Sequence, residues 1–437
     1  MRPALTWIFC LSLSAVIAGC AAESESAPAD NRGQLSGQLS PARSGADWPC
    51  LYGPDRNSTS RETDIDTHWP AAGPRVAWRR LVGSGYSSPV IAAGKLLLFH
   101  RIEDEEVLEC VVAETGQPLW QAKATTDYLC PVEYSNGPYS TPSIAEGRVF
   151  AWGAEGRLRC VALKDGREIW NRDLATEYRA KPAGFYPFAA SPLVEDDRLI
   201  LPLGGAEHDS GILALDAASG RTLWHSTSDR AGYASPVAAT IHGRRYVSVF
   251  TADGLVSLDP SDGRVHWSIP FAAKNPDVVN ATTPIVAGDY VFVSGYSLGN
   301  LCLKIRADGS YEELWRDKRR NLDSQFNNLI LRDGCIYGFA TDHSFRCLDL
   351  QTGEVLWKLK SSLSRGSSLA VGNRLILLGE RGHLGAIDLA ASEPAMITET
   401  RESVTGGEVC FSSLALSRGL LYVRTEKELI CFDLRKG

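Results

Sequence analysis

Short runs of alternating hydrophobic and polar residues recur along most of the chain, and tight turns separate them. Alternation over a few residues is typical of half-buried β strands. The first group of runs covers residues 87–91, 96–100, 107–111 and 118–120, with turns at 93–94 and 115–116. Matching groups begin near residues 140, 190, 234, 282, 327, 367 and 412. The pattern therefore predicts eight units of four strands each.

A tryptophan closes most of these units, and it usually follows a turn glycine by four residues, as in Gly116-Gln117-Pro118-Leu119-Trp120. Two extra residues separate Gly309 from Trp315, and the seventh unit has residues 391–394 (Ala-Ser-Glu-Pro) in place of the glycine turn, with no tryptophan. A period of roughly 40–50 residues with a closing tryptophan is typical of β-propellers. We expect the rings to be buried between blades. These structural tryptophans are Trp78, Trp120, Trp170, Trp224, Trp267, Trp315 and Trp357.

The last unit ends after its third strand, whereas a strand that carries its own tryptophan, residues 75–78, stands alone before the first unit. An N-terminal strand that completes the C-terminal blade would close the ring and remove an open sheet edge. Proline recurs early in the first strand of five units, which suits an innermost edge because proline cannot donate a ladder hydrogen bond. Residues 75–437 are therefore predicted to form an all-β, eight-bladed propeller of four-stranded antiparallel blades, closed by an N-terminal strand.

The N-terminus has the pattern of a targeting segment. Arg2 precedes an apolar stretch, residues 4–18, and Ile17-Ala18-Gly19-Cys20 follows the pattern of a bacterial lipobox. Residues 1–20 are therefore predicted to be a lipoprotein signal peptide with Cys20 as the lipidated residue, the alternative being an ordinary signal peptide. Residues 21–47 are rich in Ala, Ser, Gly, Gln and Pro and predict a flexible tether, and residues 48–74 form an N-terminal extension.

The net charge bears on the class of partner, and the number of cysteines bears on which of them can form disulfides. A net charge of −7 gives no reason to expect nucleic acid as a partner. Nine cysteines remain after Cys10 and Cys20, so at least one is unpaired. Cys50 and Cys130 lie outside regular strands, and we predict that they pair. Six residues before a turn glycine, a small, half-buried packing residue is expected; the cysteines at this position are Cys110, Cys160, Cys347 and Cys431.

The long connections are all predicted on one side of the ring, the side that carries the crossovers between blades and the loops between second and third strands; we call it the crossover face. These connections are residues 121–139, 171–189, 204–211 and 316–326. Loops placed by a rigid scaffold commonly carry binding sites. The predicted binding face comprises Tyr128, Tyr134, Tyr139, Tyr178, Phe185, Tyr186, Phe188, Arg319 and Arg320. The alternatives are that the aromatic residues pack the loops onto the ring and that the basic residues are simply solvated.

Two repeats follow the pattern A-L-D-x-x-T-G-x-x-x-W closely, residues 213–224 and 347–357. They resemble the pyrroloquinoline-quinone-type β-propeller repeat. That family contains quinoprotein alcohol dehydrogenases and also non-catalytic scaffold lipoproteins, such as the propeller subunit of the outer-membrane β-barrel assembly machinery. The lipobox and the tether are similar to the second group. The dehydrogenase site implies an adjacent Cys-Cys disulfide and calcium ligands; this sequence has no adjacent cysteine pair, and no calcium ligand can be carried over.

The resemblance and the residues together favour a membrane-tethered, monomeric, non-catalytic scaffold that binds a protein or peptide partner in the bacterial cell envelope. Outer-membrane protein assembly is the implied process, with the protein exported, lipid-anchored at the outer membrane and facing the periplasm. No cofactor and no metal are expected. The alternative is a quinoprotein-like oxidoreductase, an alcohol dehydrogenase with pyrroloquinoline quinone and calcium in its central funnel. A third class is a binder of small ligands or glycans without chemistry.

Overall fold

The computed structural model describes residues 47–205, 209–273, 280–317, 321–389 and 395–436. The predictions for the signal peptide, for Cys20, for almost all of the tether, for Arg319 and Arg320, and for the turn at 391–394 lie outside these residues. Nearly all of the described elements are β strands. Among them, no helix has the length and apolar character needed to cross a bilayer.

The first half of the chain forms four consecutive blades, after two strands that pair elsewhere. The elements are β1 (Thr59–Ser60) and β2 (Arg75–Leu81); in blade 1, β3 (Val90–Ala92), β4 (Lys95–Ile102), β5 (Glu105–Val112) and β6 (Pro118–Thr125); in blade 2, β7 (Ser143–Ala145), β8 (Arg148–Trp152), β9 (Arg157–Ala162) and β10 (Glu168–Asp173), followed by α1 (Leu174–Glu177); in blade 3, β11 (Leu193–Glu195), β12 (Arg198–Gly205), β13 (Ser210–Asp216) and β14 (Thr222–Ser226); and in blade 4, β15 (Val237–Ile241), β16 (Arg244–Phe250), β17 (Gly254–Leu258) and β18 (Val265–Pro270).

The second half repeats the arrangement in blades 5 to 8. The elements are, in blade 5, β19 (Ile285–Ala287), β20 (Tyr290–Gly295), β21 (Gly299–Ile305) and β22 (Tyr311–Asp317); in blade 6, β23 (Ile330–Arg332), β24 (Cys335–Phe339), β25 (Ser344–Asp349) and β26 (Val355–Lys360); in blade 7, β27 (Gly366–Val371), β28 (Arg374–Gly379), β29 (Leu384–Asp388) and β30 (Ala395–Glu399); and in blade 8, β31 (Ala415–Ser417), β32 (Leu420–Arg424) and β33 (Glu428–Asp433). Within each blade, neighbouring strands pair antiparallel from the innermost strand outwards.

The N-terminal strand closes the ring as predicted. Strand β2 pairs antiparallel with β33 and becomes the outermost strand of blade 8, with Trp78 opposite Cys431. The eight-bladed, all-β propeller closed by an N-terminal strand is thereby confirmed. The recurring prolines stand immediately before the innermost strands β3, β7, β11, β15 and β19, where no ladder hydrogen bond is required of them.

Five of the closing tryptophans bind their blade to the next one through an indole hydrogen bond. The Trp78 indole Nε1 donates a hydrogen bond to the Ala113 carbonyl oxygen of blade 1 at 3.1 Å. Its ring lies against Gly116, whose φ is +70° and where a Cβ atom would come within 3.0 Å of the indole. The turn therefore requires glycine for its conformation and also for the space that the ring occupies. The equivalent indole-to-carbonyl bonds are Trp120 to Leu163, Trp170 to Ala217, Trp224 to Pro260 and Trp315 to Leu350.

The predicted small position lies opposite these tryptophans on the third strand. Cys110, for example, pairs with Trp120 and is 0% exposed, so the position is fully buried rather than half-buried. A small residue is required there because the large indole of the neighbouring strand covers it. The remaining occupants opposite a tryptophan are Cys160, Ala214, Ser257, Cys302, Cys347 and Cys431.

Blade 7 lacks the closing tryptophan, and the N-terminal extension supplies one. Thr398 stands opposite Ala386, where other blades carry tryptophan, and its hydroxyl donates to the Trp69 carbonyl oxygen at 3.1 Å. Trp69 is buried in the same hydrophobic cluster as Leu384 and Ala386. The extension thus fills the position that the degenerate repeat leaves open.

Residues 47–60, which we call the channel segment, occupy the centre of the ring. The backbone of Trp48 exchanges two 2.8 Å hydrogen bonds with Ile91 of blade 1, and the Pro49 carbonyl accepts from the Ile144 amide of blade 2 at 2.8 Å. Strand β1 then pairs parallel with β27, the innermost strand of blade 7. The inner edges of blades 1, 2 and 7 are therefore bonded to the chain's own N-terminal segment, which protects them from pairing with other chains.

Two predictions, one about a disulfide and one about the length of a loop, are wrong. Cys50 and Cys130 do not pair, since both thiols are free. Cys50 is buried in the channel segment, where its Sγ contacts the Gly53 carbonyl oxygen at 3.0 Å, whereas Cys130 lies on a crossover. The loop expected at 204–211 is shorter than predicted, because β12 runs to Gly205 and β13 begins at Ser210; residues 206–208 of the connection lie outside the described residues.

Candidate functional site: the mouth of the central channel

The same short pattern stands before the innermost strand of each blade, or at its start in blade 7: a variable residue, two small or polar residues, and then proline or leucine. Because each crossover leads directly into an innermost strand, the variable residue stands at the crossover end of the channel in every blade. The eight blades therefore present one such residue each around a common opening, which we call the mouth. Five of these residues are aromatic: Tyr86, Tyr139, Tyr233, Phe326 and Phe411.

The mouth encloses a cavity of about 230 Å³. Besides the five aromatic residues of the repeat, the crossover residues Tyr134 and Tyr186 and the blade 5 residue Tyr296 line it. At the variable position, blades 3 and 5 carry Ala189 and Ala281, which leave space within the ring. The cavity is therefore an asymmetric, tyrosine-rich pocket on an otherwise repetitive scaffold.

Six of the aromatic rings touch one another in an arc around the cavity. The successive distances between ring centroids are 5.6 Å for Tyr233–Tyr186, 6.2 Å for Tyr186–Tyr139, 4.7 Å for Tyr139–Tyr86, 5.2 Å for Tyr86–Phe411 and 5.1 Å for Phe411–Phe326. Ring pairs in this range each contribute about 0.5–1.5 kcal/mol. The arc is therefore ordered by its own contacts.

A belt of hydrogen bonds joins the innermost strands at the level of the cavity. In each case a backbone amide of one blade donates to the side-chain hydroxyl of the next blade. The bonds are Ser413 to Ser88 at 2.8 Å, Ser88 to Thr141 at 2.9 Å, Thr141 to Ser191 at 3.0 Å and Ser191 to Ser235 at 2.8 Å. The residue before the proline is thus a hydroxyl residue because it connects neighbouring blades, and the belt fixes the rim of the cavity.

The channel segment forms the floor of the cavity through Leu51 and Tyr52. Tyr52 is 8% exposed, and its hydroxyl lies close to the hydroxyls of Ser413 and Thr283. Below it, Arg56 donates to the Pro192 carbonyl oxygen at 2.6 Å, and the Asn328 side-chain amide donates to Ser58 Oγ at 2.7 Å. The floor is therefore held by side chains from several blades.

The floor has an unusual backbone conformation. Tyr52, Arg56 and Ser58 have φ values of +66°, +52° and +57°, and Gly53 has +82°. Non-glycine residues in this region each cost roughly 1–2 kcal/mol. Such a turn persists only when the surroundings determine it, and here the contacts to blades 3, 5, 6 and 8 do so.

The cavity is uncharged. Among the described residues that line it, none is acidic or basic. Burial raises the pKa of Tyr52 to about 12 and that of Tyr186 to about 12, and it also raises the pKa values of Tyr86, Tyr139 and Tyr233. All of these phenols are therefore neutral, hydrogen-bonding groups at physiological pH.

These residues do not fit the quinone and calcium of the oxidoreductase alternative. Pyrroloquinoline quinone carries several carboxylates, and calcium is held by acidic and carbonyl oxygens. The described lining offers hydroxyls and aromatic rings but no cation for a carboxylate and no carboxylate for calcium. Across the described part of the chain, no group of three His, Cys, Asp or Glu side chains is arranged to hold a metal ion.

The structure brings three of the predicted binding-face residues into the mouth, namely Tyr134, Tyr139 and Tyr186. Phe185, adjacent to Tyr186, is 45% exposed and lies outside the cavity lining. Tyr128 is half-buried on the same crossover as Tyr134.

Two other predicted residues pack the loops onto the ring instead. Phe188 is 3% exposed, with its ring 4.8 Å from that of Trp152. The Tyr178 hydroxyl lies 2.7 Å from the Thr222 hydroxyl of blade 3. For these two residues, packing is the role that the contacts support.

Sequence reasoning missed the repeat-borne part of the mouth: Tyr86, Tyr233, Phe326 and Phe411, together with Tyr52 of the floor. A signal for the first four exists, since an aromatic residue recurs three positions before the proline or leucine of the innermost strand. Tyr52 has no periodic signal, because its position depends on contacts with residues more than 200 positions away.

When this chain is compared with known proteins, one family model and several relatives of the same name match it. A family model described as "Outer membrane protein assembly factor BamB" matches residues 103–359 and 319–437. A relative from Burkholderia pseudomallei with that name is 22% identical over 314 residues, covering 70% of this chain and 74% of the relative. One from Yersinia pestis is 21% identical over 220 residues, 48% of this chain, and the match spans about half of that relative, 53%.

Solved structures share the fold. BamB from Moraxella catarrhalis has a TM-score of 0.61 at 17% identity, with 84% of this chain and 99% of that chain covered. A quinohemoprotein alcohol dehydrogenase from Comamonas testosteroni has a TM-score of 0.60 at 15% identity, with 90% and 81% covered. Both likenesses show the propeller architecture. Because the family model covers most of the chain, this protein belongs to the family of the outer membrane protein assembly factor BamB.

Proposed function

We propose that this protein is a non-catalytic scaffold of the bacterial cell envelope that binds a protein or peptide partner at the mouth of its central channel. Outer-membrane protein assembly is the process in which it would act, as the name of its family suggests. The N-terminal lipobox supports lipid anchoring through Cys20 at the outer membrane, with the propeller in the periplasm.

The observation that carries this proposal is the arc of aromatic rings around an uncharged cavity. Tyrosine supplies a large contact area at low conformational cost, and hydroxyl residues supply adaptable hydrogen bonds; this combination is typical of surfaces that bind proteins. Five of the six rings stand just before rigid innermost strands, and Tyr186 is held between Tyr233 and Tyr139, so little ordering is required when a partner binds.

A pull-down from envelope membranes tests the proposal. Tagged full-length protein and its Tyr186→Ala variant are compared, and recovered partners are quantified by mass spectrometry. Tyr186 lies within the arc, between Tyr233 and Tyr139, and is half-buried. Loss of a central aromatic contact commonly costs about 2 kcal/mol or more, so recovery should fall at least about tenfold.

Phe185→Ala is the matched control, since it removes a neighbouring exposed aromatic ring that does not line the cavity. Recovery should be close to that of the unchanged protein. If both variants recovered the partner normally, the mouth would not be the binding site. If only Phe185→Ala lost the partner, the site would be the outer part of the crossover face.

A further inference from the structure

We propose that the mouth binds one uncharged aromatic side chain from a partner peptide, inserted along the channel axis towards Tyr52, with the peptide backbone remaining on the crossover face. This inference rests on the proposed function, because it names what the peptide presents to the same cavity. It adds the chemical class of the recognised side chain and the direction from which it enters.

The channel already holds one side chain of this kind, supplied by the chain itself. Tyr52 stands at the tip of a tight turn, followed by Gly53 with φ +82°. Its ring is nine-tenths buried among the innermost strands, and its hydroxyl lies close to the hydroxyls of Ser413 and Thr283 on different blades. The channel therefore accommodates an aromatic ring presented by a peptide turn, with the small hydroxyl residues as its polar partners.

The size and depth of the cavity limit the ligand to a side chain. Above Tyr52, about 230 Å³ remains, which is below the roughly 300–1,000 Å³ of pockets for drug-sized ligands. The channel segment blocks the way below, since Trp48 is 2% exposed and bridged to Ile91, and Pro49 is bonded to Ile144. A polypeptide cannot thread through the ring, so the mouth is a dead end.

The absence of charge from the described lining selects against charged side chains. An anion or cation that entered would lose its hydration without gaining an ionic partner, which is costly. The buried guanidinium of Arg424 does not line the cavity, and it already donates to the backbone carbonyls of Phe99 and Gly83 at 3.2 Å, so it is not a free partner for an anion. A tyrosine or phenylalanine side chain gains ring contacts with the arc and leaves no unpaired charge.

Short labelled peptides that differ at one central residue test this inference. The series has Tyr, Phe, Asp, Lys or trimethyl-lysine at the centre, and it is titrated against the detergent-solubilised full chain by fluorescence anisotropy. We expect Tyr and Phe peptides to bind at least about tenfold more tightly than Asp, Lys or trimethyl-lysine peptides, which corresponds to about 1.4 kcal/mol. Phe411→Ala should remove this preference, whereas Phe185→Ala should retain it. Circular dichroism of both variants verifies that the propeller is intact.

Three outcomes would overturn the inference. Equal affinity for aromatic and charged peptides would show that the side-chain class is wrong. Displacement of the Tyr peptide by an uncharged oligosaccharide, with tighter binding of the sugar, would identify a glycan site. Absence of binding by every peptide, while Tyr186→Ala still abolishes partner recovery from membranes, would reject the inference and leave the proposed function standing. If no peptide bound and Tyr186→Ala also left partner recovery unchanged, the proposed function would be rejected as well.

Discussion

At the scale of single residues, one repeat position decides what the mouth can bind. The residue three positions before the recurring proline or leucine is aromatic in five blades and is alanine or glycine in the other three. In blade 7, Gly366 leaves no side chain between Phe326 and Phe411, whose rings meet at 5.1 Å. A site of definite shape thus arises on a symmetric scaffold through the size of one side chain per blade.

Tyr233 is predicted to position Tyr186 through its hydroxyl. That hydroxyl donates to the Ala183 carbonyl oxygen at 2.6 Å and accepts from the Tyr186 amide at 3.0 Å. Tyr233→Phe leaves these buried partners unpaired, at a cost of about 1–3 kcal/mol. The Tyr186 amide should therefore exchange its hydrogen faster, as measured by mass spectrometry. Tyr246→Phe removes a buried hydroxyl elsewhere in blade 4 and should leave that amide unchanged; equal exchange in both variants would contradict the assignment.

Glu106 should make stability depend on pH. It is 6% exposed, its carboxylate accepts from the Ala154 amide at 2.7 Å, and burial raises its pKa to about 7. Because the folded state holds this proton more tightly than the unfolded state, the contribution is fully present below about pH 4.5 and is lost as pH rises through 7.

Glu106→Gln should therefore gain stability relative to the unchanged protein as pH rises from 5 to 8, by up to about 3 kcal/mol in the free energy of unfolding. Urea unfolding at several pH values measures this difference. Glu103→Gln, in the adjacent turn between β4 and β5, removes an exposed carboxylate; it is the control and should show no pH-dependent gain. Parallel pH profiles for Glu106→Gln and the unchanged protein would refute the prediction.

At the scale of secondary-structure elements, the N-terminal part of the chain completes what the repeats leave unfinished. Strand β2 closes blade 8, Trp69 packs where blade 7 lacks a tryptophan, and β1 pairs with β27. The channel segment adds the floor of the mouth. The extension is therefore an integral part of the propeller.

Trp78→Ala is expected to weaken ring closure. It removes the indole that bonds Ala113 and packs on Gly116, which should cost about 2–4 kcal/mol of unfolding free energy for this half-buried ring. Leu81→Ala lies on the same strand but removes a side chain that is 79% exposed, so it should cost less than about 0.5 kcal/mol. Chemical unfolding measures the free energy of unfolding of both variants. Equal losses of this free energy would mean that the tryptophan does not secure the closure of the ring.

The free thiols give a second test at this scale. Alkylation under denaturing conditions without reductant should label all nine cysteines from Cys50 to Cys431, because the structure pairs none of them. In the native protein, the half-buried Cys130 and Cys335 should react before the buried ones. Intact mass reports both stages. A mass that is lower by two labels, and that reaches the full value only after reduction, would show that two of the cysteines form a disulfide.

The fold could be predicted from the sequence because its information is local and periodic. Turn glycines and closing tryptophans recur at a nearly fixed spacing. At that spacing the fourth strand of blade 8 is missing, which points to the N-terminal strand as its replacement. The aromatic arc could be predicted only in part, from the crossover tyrosines. The course of the channel segment and the separation of Cys50 from Cys130 depend on contacts between distant residues, which no spacing in the sequence encodes.

At the scale of the whole molecule, the two ends of the channel differ. The described chain begins at the end opposite the mouth, where the Asp47 carboxylate accepts from the Ala93 amide in the turn between β3 and β4 at 3.0 Å. The crossover end carries the aromatic cavity. The ring therefore presents one open, uncharged binding surface, and its other end is occupied by the chain's own N-terminal segment.

Photocrosslinking in envelope membranes tests most directly whether the partner binds at the mouth. Benzoylphenylalanine replaces Phe411 in the arc or Leu356, which is 53% exposed on the outermost strand of blade 6. Binding at the mouth predicts an adduct with an envelope protein from position 411, diminished by Tyr186→Ala, and none from position 356. An adduct from position 356 with none from position 411 would contradict it.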